Sequence, residues 1–117
     1  MPTKEDLYDQ AIDLVADGKS EQAIAVYREA LALDPGYIDA WTGLALALAE
    51  LQRFEEAIEA GTKLVELDPD DPLSYTNLSR FYQQLGNVPE AEAWAAKARI
   101  ADWKQQIRDG EKDGNPA

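Results

Sequence analysis

The sequence predicts an all-α fold, an array of three antiparallel helix pairs, and three observations carry that reading. Leu-Asp-Pro occurs twice, at 33–35 and 67–69, an offset of 34 residues. An aromatic residue follows each proline at the same distance, Trp41 after Pro35 and Tyr75 after Pro69. Sliding the chain by 34 also aligns Ala23 with Ala57 and Ala91, Leu14 with Leu48 and Tyr82, and Leu7 with Trp41 and Tyr75. Three units result, 4–37, 38–71 and 72–105.

The elements follow in chain order. Thr3 and Asp6 form a capping box that opens the first helix, each side chain reaching the other's backbone N–H. Gly18 and, two units on, Gly86 fit the tight turn inside a unit, where positive φ is needed; Gln52 stands between them. In the second unit Trp41, Leu44, Ala45, Leu48 and Leu51 step by three and four, the spacing of one helix face. After Gln52-Arg53 the pattern restarts with Phe54, Ala57, Ile58, Gly61, Leu64 and Val65 and ends at Pro69, which cannot continue a helix. Asp71 is an N-cap before Pro72 at the first helical position, and Pro89 is expected to do the same for the last helix. The small Ala23, Ala57 and Ala91 let paired helices approach closely.

At the end of the third unit Trp103 stands where proline would be. The helix is therefore predicted to continue to about Asp109, with Gly110 as its C-cap. Ile100, Trp103 and Ile107 form an apolar stripe on that extension, read either as a cap folding over the third unit or as a self-association patch. Residues 1–109 are expected to form one domain, and 110–117 a polar, frayed tail.

These units resemble the tetratricopeptide repeat over residues 4–105. Trp41, Leu44, Ala45, Leu48, Ala57 and Pro69 stand where that family's Trp, Leu, Gly, Tyr, Ala and Pro are expected. The third unit offers Tyr75, Leu78, Ser79, Tyr82, Ala91 and Ala98, while the first has Gln10 where leucine is usual. The resemblance implies a right-handed α-solenoid whose first helix in each pair lines a concave groove for a partner. Mapped onto this sequence, that groove is lined by Glu5, Tyr8, Asp9, Ile12 and Val15, then by Asp39, Thr42, Gly43, Leu46, Ala49 and Glu50, then by Leu73, Thr76, Asn77, Arg80, Gln83 and Gln84. Ile12, Val15 and Leu46 are apolar off the packing stripe, and Arg80 is the only base among the lining residues, suited to a carboxylate or to an ion pair with Glu50. Family members that grip acidic chaperone tails do so through five lysine, asparagine or arginine positions. Those positions here hold Tyr8, Ile12, Gly43, Leu73 and Asn77, so that function is not expected.

Composition narrows the rest. The chain has no Cys and no His, which removes thiolate chemistry, the usual proton shuttle and the commonest metal ligands. No cofactor and no metal are expected. Acid pairs such as Glu55-Glu56 fall on turns and outward faces rather than across a pocket, no phosphate-binding glycine loop is present, and an enzyme is not expected. The net charge of −12 repels phosphate backbones, so nucleic acid is a poor partner. It divides as −5, −7 and +1 over the three units, with −1 in the tail. No stretch approaches the roughly 20 apolar residues that span a bilayer, and the opening MPTKEDLYDQ lacks the pattern of a signal peptide. The sequence thus predicts a cytoplasmic, non-catalytic interaction module that binds a segment of another protein, as a monomer or weak homodimer. The alternative is a structural protein whose repeats stack between chains.

Overall fold

A computed structural model describes residues 1–112, with side chains through Gly110. Six helices follow one another: α1 Lys4–Ala16, α2 Ser20–Leu33, α3 Ile38–Glu50, α4 Phe54–Leu67, α5 Pro72–Gln84 and α6 Val88–Lys112. Each packs on its neighbours in sequence, and α1 also touches α3. The result is a right-handed α-solenoid of three antiparallel pairs.

The breaks between pairs share one construction. Asp34 ends α2, and its carboxylate accepts from the Gly36 N–H at 3.1 Å. Asp68 ends α4 and accepts from the Asp70 N–H at 3.3 Å. The aromatic of the next helix then ties down the proline: Trp41 Nε1–H donates to the Pro35 carbonyl and the Tyr75 hydroxyl to that of Pro69, both at 2.7 Å. The shared spacing in the sequence is the reach of this bond.

Caps act where the sequence places them. Thr3 and Asp6 exchange bonds of 3.1 and 3.0 Å, and Asp71 accepts from the Leu73 N–H at 3.0 Å. Gly18 and Gly86 take φ of 76° and 82°, and Gln52 adopts the same left-handed turn at 62°. Pro89 differs from expectation: α6 begins one residue earlier, at Val88, and Asn87 accepts from the Glu90 N–H at 3.3 Å.

The core lies between successive pairs. Ala23 and Ala57 are completely buried, as are Ala30, Ala40 and Leu78. The two interfaces between pairs fill their space in opposite ways. Between the first and second, Tyr27 of α2 is 1% exposed and lies against Gly43 of α3. Between the second and third, the residue equivalent to Tyr27 is Gly61, and Leu78 and Phe81 of α5 fill the space above it.

Both end faces carry polar residues where the inner pairs carry apolar ones. Ala40, Leu44 and Ala47 are buried against the preceding pair, as are Ser74, Leu78 and Phe81. The matching residues of α1 are Asp6, Gln10 and Asp13, all exposed. With no pair before it, α1 needs no leucine at Gln10. At the far end Glu92 and Arg99 stand where α2 has the buried Ile24 and Leu31.

The expectation of a folded-over cap is corrected. Residues 102–109 are all exposed, Trp103 at 62%. Covering the third pair needs a chain reversal, and the residue that makes one at 35 and 69 is tryptophan here, so α6 runs straight on. Nor does it stop at Asp109 with Gly110 as cap. It continues to Lys112, because a single helical glycine costs only about 1 kcal/mol among good helix formers. Residues 113–117, the rest of the expected tail, lie outside the described residues.

Two stability measurements test this packing. A methyl group on Gly43 would stand 2.5 Å from the Tyr27 hydroxyl oxygen, so Gly43→Ala should destabilise by about 1–3 kcal/mol in urea unfolding despite its better helix propensity. Gly61→Ala meets the Leu78 side chain at 2.8 Å, a lesser overlap than at Gly43, and should cost less. Truncation after Asp102 removes exposed residues and should shift the thermal midpoint little; a large fall would mean that the extension covers core.

Candidate functional site

The first helix of each pair lines one side of the solenoid, and that side holds a broad apolar depression. A cavity of about 440 Å³ runs across α1, α3 and the start of α5, lined by Tyr8, Ile12, Val15, Ile38, Asp39, Thr42, Gly43, Leu46, Ala47, Glu50, Asp71 and Leu73, with Tyr27 reaching it from α2. Ile12, Leu46 and Leu73 are 43%, 44% and 56% exposed, so these large side chains do no core duty. Asp39, Glu50 and Asp71 edge the cavity, and no base lines it.

Nine predicted groove residues therefore meet: Tyr8, Ile12, Val15, Asp39, Thr42, Gly43, Leu46, Glu50 and Leu73. Arg80 belongs to a second depression of about 410 Å³, which shares Leu46 and Glu50 and adds Phe54, Phe81 and Gln84. It is exposed and makes no ion pair among the described residues. Five predicted residues, Glu5, Asp9, Thr76, Asn77 and Gln83, fall outside both depressions. Thr76 turns its hydroxyl to the Pro72 carbonyl at 3.2 Å. Asn77 is 4% exposed, drawn between helices at the position that Gly43 fills one repeat earlier. Gln83 lies on the polar end face beside Ser79, Glu92 and Ala95.

The residue that the sequence did not offer is Tyr27. It belongs to a second helix, whose side chains are expected away from the groove. The missing side chain of Gly43 opens a window through which its ring reaches the floor. A glycine inside an otherwise regular helical stripe was the available signal.

Tyr27 continues into an aromatic wall. Its ring centroid lies 6.1 Å from that of Tyr8, which lies 5.6 Å from Tyr37. Lys4 sits 5.0 Å over Tyr37 while paired with Asp34. Burial pushes the Tyr8 phenol above the ordinary tyrosine value, with the negative charges of Asp39 and Asp9 adding to the effect. Burial does the same at Tyr27, and at Tyr37 together with Asp39 and Glu5. A raised folded value favours the neutral phenol. The stability it supplies is complete below the ordinary value of about 10 and is lost as pH climbs through the raised value. Tyrosinate absorbance should accordingly show late-ionising phenols, and Tyr8→Phe should remove one; a titration complete near the ordinary value would contradict this wall.

Of the Glu55-Glu56 pair, Glu56 has structural partners. Glu56 is bound by Arg53 at 2.5 Å and by Arg28 at 3.7 Å, and its carboxyl is held below the usual range by the hydrogen bond from Arg53. A further cleft of about 290 Å³ opens on the outer face, where Trp94 stacks on Tyr75 at 5.9 Å and Lys97 lies 4.2 Å over Trp94. Arg108 closes its far end on Asp70 at 3.2 Å.

Two models of the tetratricopeptide repeat match this sequence, over residues 8–72 and 48–106. The chain belongs to the tetratricopeptide repeat family. Among curated tetratricopeptide relatives, the UDP-N-acetylglucosamine–peptide N-acetylglucosaminyltransferase of Giardia intestinalis is 34% identical over 82 residues, 70% of this chain and 6% of that protein. The Hsp70-Hsp90 organizing protein of Triticum aestivum is 31% identical over 85 residues, 73% of this chain and 15% of that protein. The chain thus spans a small part of these relatives. Of solved structures, MamA superposes with a TM-score of 0.87 at 25% identity, covering 90% of this chain and 61% of its own. The second TPR domain of Spaghetti (RPAP3), bound to an HSP90 peptide, superposes with a TM-score of 0.78 at 22% identity, covering 85% and 92%. No described helix is long and apolar enough to cross a membrane.

Proposed function

We propose that this tetratricopeptide repeat domain is a non-catalytic interaction module that holds a peptide segment of another protein in its concave groove, working in the cytoplasm. One observation carries the proposal: Ile12, Leu46 and Leu73 are large, apolar and exposed together in a single cavity across three helices. Isolated exposed apolar residues are ordinary on protein surfaces, whereas a concave cluster rimmed by polar groups is the form a binding site takes. The domain of Spaghetti (RPAP3) supports the reading as a fold that holds a peptide.

The wheat relative does not extend the proposal to chaperone tails. Tyr8, Ile12, Gly43, Leu73 and Asn77 supply no cation at the five clamp positions, and the acids at the cavity's edge repel such tails. Nor does the Giardia relative bring a transferase, since the match covers 6% of it. Stacking of repeats between chains is opposed by the polar end faces. Apolar anchors are the part of the ligand that this groove supports most directly, and Arg80 in the adjoining depression can hold one carboxylate beyond them.

Affinity capture with matched variants tests the surface. Leu46→Asp should remove a captured partner while leaving helicity intact, since Leu46 is half exposed. Arg80→Glu should weaken binding if its charge is desolvated, by about 2–5 kcal/mol. Arg28→Glu, on the outer face, should leave binding unchanged. Loss of the partner with Arg28→Glu but not with Leu46→Asp would put the working surface on the wrong side.

A further inference from the structure

The outer cleft carries a charge opposite to that of the whole chain. Lys97, Lys104 and Arg108 line it against a single acid, Asp70, in a chain of net charge −12. Lys97 and Lys104 make no ion pair among the described residues, and Arg108 meets Asp70 through one guanidinium nitrogen. None of the cleft's lining residues is shared with the concave groove.

The 34-residue period shows how this surface arose. One repeat earlier Lys63 pairs with Glu66 at 3.6 Å. Lys97 is the equivalent of Lys63, but the equivalent of Glu66 is Ile100, which is 53% exposed. Without that carboxylate the Lys97 ammonium lies over the Trp94 ring, and Trp94 itself stands where α4 has the buried Ala60. Lys104 in turn occupies the position of Asp70. A small residue and two acids have thus become an indole, an isoleucine and a lysine along α6. The corresponding surface of the second unit is balanced, with Arg28 and Lys63 set against Glu56 and Glu59.

We infer that the outer cleft is a second binding site, which takes an acidic peptide segment bearing one aromatic side chain. Its volume of about 290 Å³ lies at the small end of ligand pockets, with room for one large side chain rather than a packed helix. An aromatic ring entering it packs against Tyr75, Trp94 and Ile100. Carboxylates beside that ring reach Lys104 and the remaining nitrogens of Arg108. Lys97, held over Trp94, keeps ammonium donors free for a third oxygen. The Arg108–Asp70 pair is an internal instance of the same recognition. A nucleic-acid strand also stacks on aromatic rings between bases, but the charge of the rest of the chain repels it.

Isothermal titration of the full chain with the peptide acetyl-Glu-Asp-Phe-Asp-Glu-amide tests this site. Saturable heat is expected, with a Kd below about 1 mM that weakens as salt is added. Replacing the peptide's phenylalanine by alanine should weaken binding at least about tenfold. Lys104→Glu and Ile100→Glu should each do the same, the second because it restores to Lys97 the acid that Lys63 has in Glu66. Both residues are exposed, and circular dichroism should show both variants folded. Arg28→Glu, elsewhere on the outer face, should bind as the wild type does. Binding lost with Arg80→Glu but kept with Lys104→Glu would place the peptide on the concave side and overturn the inference, while the groove reading would stand. Equal binding of the alanine peptide would reduce the cleft to a patch of surface charge, and absence of saturable heat would leave no site; either result overturns the inference. Displacement of the peptide by AMP at equal concentration would overturn it in favour of a nucleotide.

Discussion

The chain has to stop and reverse at the same point in each repeat, and the stacking of the pairs depends on that stop. Proline prevents the helix from continuing, the aspartate before it satisfies a freed backbone N–H, and the aromatic six residues later bonds the proline carbonyl. The last bond matters most for geometry. It links the break to the body of the following helix, so a ring edge rather than a loose loop ties one pair to the next.

Where that device is missing, the structure changes in one direction only. Asp102 is the third aspartate of the series, but Trp103 follows it, and the Asp102 carboxylate accepts from Gln106 one turn further along an uninterrupted helix. A covering helix would have required the reversal. Solvation of the last pair comes instead from Ser79, Gln83, Glu92 and Arg99 on its outward face, as it does at the other end from Asp6, Gln10 and Asp13.

Much of this was legible in the sequence, because period, turn glycines and prolines act through backbone geometry. Helix order, the capping box, the Asp71 cap and the family followed from them. What was less legible depends on side-chain volume across an interface. Asn77 and Gly43 are equivalent by position, yet one is drawn inwards and the other gives way to Tyr27. Tyr27 lies outside any list built from first helices alone. The extension was visible as a helix, but its row of exposed apolar residues looked like a cap, because amphipathicity reports that a face seeks cover and not which surface supplies it. Gln83 was misplaced for a related reason: position within the repeat cannot distinguish the concave side from the terminal face.

The contrast between the Tyr27–Gly43 and Gly61–Phe81 interfaces bears on how such an array can grow. Its backbone is periodic, but its filling is not. A duplicated middle repeat would set α4, with Gly61, against a new copy of α3, with Gly43 and Ala47. Leu44 would then take the place of Leu78 above Gly61, but Ala47 would stand where Phe81 now fills the space. The units are consequently not interchangeable bricks, and lengthening this array by duplication would require at least one compensating change of volume at the new joint. Order along the solenoid is written in the sizes of side chains that the 34-residue period leaves free.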